Sequence, residues 1–159
     1  MGKQTPAFLL RVANALVDEI AEKIAQVQSW KDVNTYELEK NLSLSVDLAD
    51  KVARSNPNIE LNDGTTPTLV KARAFFYRGY IAMRTADFKE AVKYFEESLR
   101  YHAEQSTYFN LGLCFLMMKG LFQDRTQDAI SAFQKCIDLN PETEVAINAG
   151  KELARLGQL

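Results

Sequence analysis

A chain of 159 residues, 47% hydrophobic and 25% charged, has the length and mix of one globular domain. Its net charge of −2 provides no bulk attraction to nucleic acid. No apolar run approaches the ~20 residues of a membrane span, and Phe8-Leu9-Leu10 is too short for a signal-peptide core. Pro6 stands where a myristoylation signal needs Ser or Thr, so a cytoplasmic location is the expectation.

From Ala7 onward, Leu9, Leu10, Val12, Ala13, Leu16, Ile20, Ile24 and Val27 recur at helical spacing, and Arg11, Asp18, Glu19, Glu22 and Lys23 take the opposite face. Thr5-Pro6 suits the start of this first helix, which is expected to end near Gln28 to Trp30. A turn at Trp30–Asn34 leads to a second helix, Thr35 to Ser55, stopped by Asn56-Pro57-Asn58. Residues 62–67, Asn-Asp-Gly-Thr-Thr-Pro, have the composition of a loop. A third helix is expected from Thr68 to Thr85. Asp87, with Glu90 three residues on, has capping-box spacing for a fourth, which runs to His102. Gln105 or Ser106 opens a fifth that stops at Gly120, and Thr126 opens a sixth that ends at Leu139. Asn140 and Pro141 begin a seventh, with Gly157 beyond its end near Leu156.

A pattern of residue types occurs twice along these helices. Phe75, Gly79, Ala91 and Phe95 form the first copy; Tyr108, Leu111, Gly112, Ala129, Phe133 and Pro141 form the second. Gly within a helix is unfavourable by roughly 1 kcal/mol relative to Ala, and close approach of a neighbouring helix is the expected offset. Ala91 and Ala129 would supply the small surface facing the glycines. Phe95 and Phe133, four residues on and on the same face, would fill the gap between successive helix pairs. The glycines lie 33 apart and the alanines 38, which places the extra residues around 120–125, between the two helices of the second copy.

This pattern resembles the tetratricopeptide repeat, a pair of antiparallel helices about 34 residues long. The first copy departs from it at Arg78, Ala82, Ser98 and Ala103, where the repeat usually has Leu, Tyr, Ala and Pro. The first two helices are similar to a degenerate third copy, without the Gly and the Phe. The resemblance implies an all-α single domain over residues 1–159, with antiparallel helix pairs stacked as a right-handed superhelix of about seven helices. It divides into an N-terminal pair at 7–66, repeats at 68–104 and 105–141, and a capping helix at 142–157. It also implies a non-catalytic module that holds a peptide or helix of a partner protein in a concave groove, as an adaptor, assembly factor or small chaperone.

The first helix of each pair lines that groove in the family. The corresponding face here carries Arg73, Phe76, Tyr80, Met83 and Arg84 on the third helix, and Phe109, Leu113, Leu116 and Met117 on the fifth. Phe75, Gly79, Ala82, Tyr108, Gly112 and Phe115 fall on the packing side. The face is apolar, and Met with aromatic residues makes an adaptable contact surface. A partner segment, this chain's own first helix, or a second copy in a homodimer could each cover it. With the groove self-filled, the protein would be a structural subunit or homo-oligomer. Members of the family that clamp chaperone C-terminal carboxylates use Lys and Asn where this chain has Phe76 and Tyr80, so that clamp is not expected.

Little in the sequence supports catalysis. There is one histidine, His102, at a helix end, and there is no Gly-rich phosphate loop or Gly-x-Ser-x-Gly. Cys114 and Cys136 have no metal-ligand spacing and are expected as reduced, buried thiols. No metal or other cofactor is expected. Basic residues alternate with acidic ones without forming a stripe, so no nucleic-acid partner is expected.

Overall fold

The computed structural model describes residues 2–121 and 123–159. Among them are seven α-helices and no strand: α1 (Pro6–Ala25), α2 (Thr35–Ser55), α3 (Pro67–Arg84), α4 (Phe88–Tyr101), α5 (Gln105–Met118), α6 (Thr126–Leu139) and α7 (Glu144–Arg155). One 3-10 turn, Trp30–Asp32, lies between α1 and α2. No helix of the described residues is long and apolar enough to cross a membrane. Within the inserted segment at 120–125, Phe122 lies outside the described residues.

The contacts group into two compact units, one reaching to Arg78 and the other running from Gly79 to Leu159, so that α3 contributes to both. In the first unit α1 packs against α2. Leu10, Ala13, Val17 and Ile20 are wholly buried along one stripe of α1, as are Leu42, Ala49 and Val52 on α2. The Ser45 hydroxyl sits fully buried in this seam and donates to the Ala13 carbonyl at 2.9 Å. The small side chains of Ala13, Ser45 and Ala49 let the two backbones approach, and the hydrogen bond satisfies the one polar group buried there. The 56–66 loop closes on itself through Leu61 N–H to Thr65 O and Gly64 N–H to Leu61 O, both 2.9 Å, with Gly64 at a φ of 84°. Asp63 accepts from the Thr65 N–H at 3.0 Å, and its hydrogen bonds to Thr65 lower its carboxyl pKa.

In the second unit α5 is the centre, packed against α4, α6 and α7. The two mid-helix glycines have an aromatic neighbour. A Cβ at Gly79 would lie 2.7 Å from Phe95 Cδ1, and one at Gly112 would lie 2.6 Å from Phe133 Cε1. The close approach expected at the glycines is present, and the nearest group at each is the Phe ring. Phe95 and Phe133 press directly on the glycines, while Ala91 and Ala129, both wholly buried, lie one turn earlier on the same helices.

Helix ends follow local chemistry. Asp87 accepts from the Glu90 N–H at 3.2 Å and caps α4. Before it, Asp87 N–H donates to Ala82 O at 2.8 Å and Ala86 stands at a φ of 63°, so α3 closes in a Schellman turn around a non-glycine residue. Gly120 and Gly157 take the left-handed conformation after α5 and α7. Two ends differ from expectation. α1 stops at Ala25, because the Gln26 and Val27 N–H groups turn back to the Lys23 and Ile24 carbonyls. α7 begins at Glu144 rather than Pro141: the Asn140 side chain accepts from the Glu142 N–H in a local turn, and Thr143 caps the helix by accepting from the Ala146 N–H at 3.1 Å.

Candidate functional site

Helix α5 is apolar around most of its circumference, a composition that ordinarily marks a helix enclosed on every side. Leu111, Gly112, Cys114, Phe115 and Met118 are buried, as the packing side requires. Phe109, Leu113 and Leu116 are only half-buried, and Met117 is 54% exposed. These four share one face, since positions 109, 113, 116 and 117 fall within about a third of a turn. Phe109 is anchored at its inner edge, its ring 5.8 Å from that of Phe133 and tilted by 55°. The same Phe133 that seats on Gly112 therefore also holds a residue of the open face.

On α3, Tyr80 and Met83 are half-buried and Arg84 is exposed; these belong to the second unit. Arg73 and Phe76 belong to the first and are half-buried. Arg73 is engaged within its own unit. Its guanidinium donates to Asn14 Oδ1 at 2.7 Å and to Asp18 Oδ1 at 2.6 Å, both on α1. The Phe76 ring meets Tyr77 edge-on at 5.2 Å. None of the nine face residues is buried, whereas Gly79, Ala82, Gly112 and Phe115 on the packing side are. Phe75 and Tyr108, also on that side, are half-buried.

The groups on this face are aromatic rings, aliphatic chains, thioethers and guanidinium ions. They suit apolar burial with charge at the margin. His102 is exposed, its Nε2 3.9 Å from Glu104 Oε1. Cys114 and Cys136 are free thiols, both wholly buried. Burial raises both thiol pKa values, that of Cys114 to about 12. Among the described residues no group of His, Cys, Asp and Glu could hold a metal ion.

A second surface feature was not legible as a site in the sequence. On the other side of α5 a small cleft is lined by Glu96, Tyr108, Arg125, Asp128 and Lys135 together with Phe115. The Arg125 guanidinium lies 4.2 Å from the Phe115 ring centroid and bonds to Asp128 at 2.8 Å. Its side chain thus covers the edge of the core.

Comparison with known families gives two matches. Residues 72–103 and residues 106–143 each match a family model described as Tetratricopeptide repeat. No curated protein matches the chain.

Proposed function

Since the chain carries two tetratricopeptide repeats, which generally mediate protein–protein interaction, we propose that it is a non-catalytic module holding a peptide or helix of a partner protein. The open face of α5, with Tyr80, Met83 and Arg84 of α3, would receive that segment. One observation carries the reading: Phe109, Leu113, Leu116 and Met117 lie on a helix whose composition suits full enclosure, yet none of them is buried. Apolar burial at about 25 cal/mol per Å² makes such a face a favourable seat for an apolar segment. The role is that of an adaptor, assembly factor or small chaperone in the cytoplasm.

A second reading has its own support. The Arg73 bonds to Asn14 and Asp18 tie α3 to α1, as expected where part of the face is covered by the chain itself and the protein is a structural subunit. The two readings separate in one experiment. A photo-crosslinking amino acid is placed at Met117, both in the otherwise unchanged chain and in a Leu113→Glu/Leu116→Glu variant checked for native helicity. Crosslinks to a partner from native lysate that disappear in the folded double variant support the module. Crosslinks confined to this chain overturn it in favour of the structural subunit.

A further inference from the structure

We draw no further inference here: the strongest candidate, the cleft of about 270 Å³ between α1 and the 56–66 loop that is lined by Arg11, Asn14, Asp18 and Asp63, is an open surface hollow whose Asn14 and Asp18 are already engaged by Arg73, and nothing in the structure shows what would occupy it.

Discussion

Two glycines with a ring pressed onto each give the second unit its most sharply defined contacts. Gly112→Ala would gain about 1 kcal/mol in helix propensity. Its Cβ would however lie 2.6 Å from a carbon of Phe133, a wholly buried ring with nowhere to withdraw. Overpacking of this kind is unfavourable by about 1–3 kcal/mol, so the net effect is a loss of stability. Gly79→Ala, against Phe95 at 2.7 Å, is expected to behave alike, and chemical denaturation of the two variants checks both. The thiols offer a second check. Burial pushes the Cys114 thiol up to about 12 in the folded chain, above the 9.0 of a free thiol. Between those values the folded state binds more protons than the unfolded one, so this residue's contribution to stability is present below pH 9 and declines as pH rises above it. In native protein at pH 8 both cysteines are expected to resist a thiol reagent, and in denaturant both should react.

Helices were legible where the chemistry that ends them is carried by one or two residues. Residues 35–55 and 126–139 appear in the structure as read, and the Asp87 cap with its bond to Glu90 is where the spacing puts it. The ends that shifted depend on bonds that periodicity does not carry. Gln105 illustrates this: its amide donates to the Cys136 and Asn140 carbonyls and accepts from the Thr143 hydroxyl, so α5 holds the end of α6 and the start of α7. No local pattern in 140–143 announces that arrangement. The face residues were legible as a stripe, but the hold of Asn14 and Asp18 on Arg73 joins positions 59 and 55 residues apart and could not be read from spacing.

The molecule as a whole consists of two units, each with its own buried stripe: Leu10, Val17, Ile20 and Leu42 in one, Phe95, Phe133, Cys114 and Leu153 in the other. Helical repeats of this type derive stability mainly from contacts between neighbouring elements. One consequence concerns the joint between α5 and α6. Gly120, Leu121, Gln123 and Asp124 are all exposed there, and the extra residues leave the seating of Phe133 on Gly112 as close as that of Phe95 on Gly79. The seating of α6 on α5 is therefore expected to survive a break in the chain at this point. Trypsin nicking after the exposed Lys119 should yield two fragments that coelute from a sizing column as one native species and separate only in denaturant. Expressed apart, the same halves should find each other and reassemble.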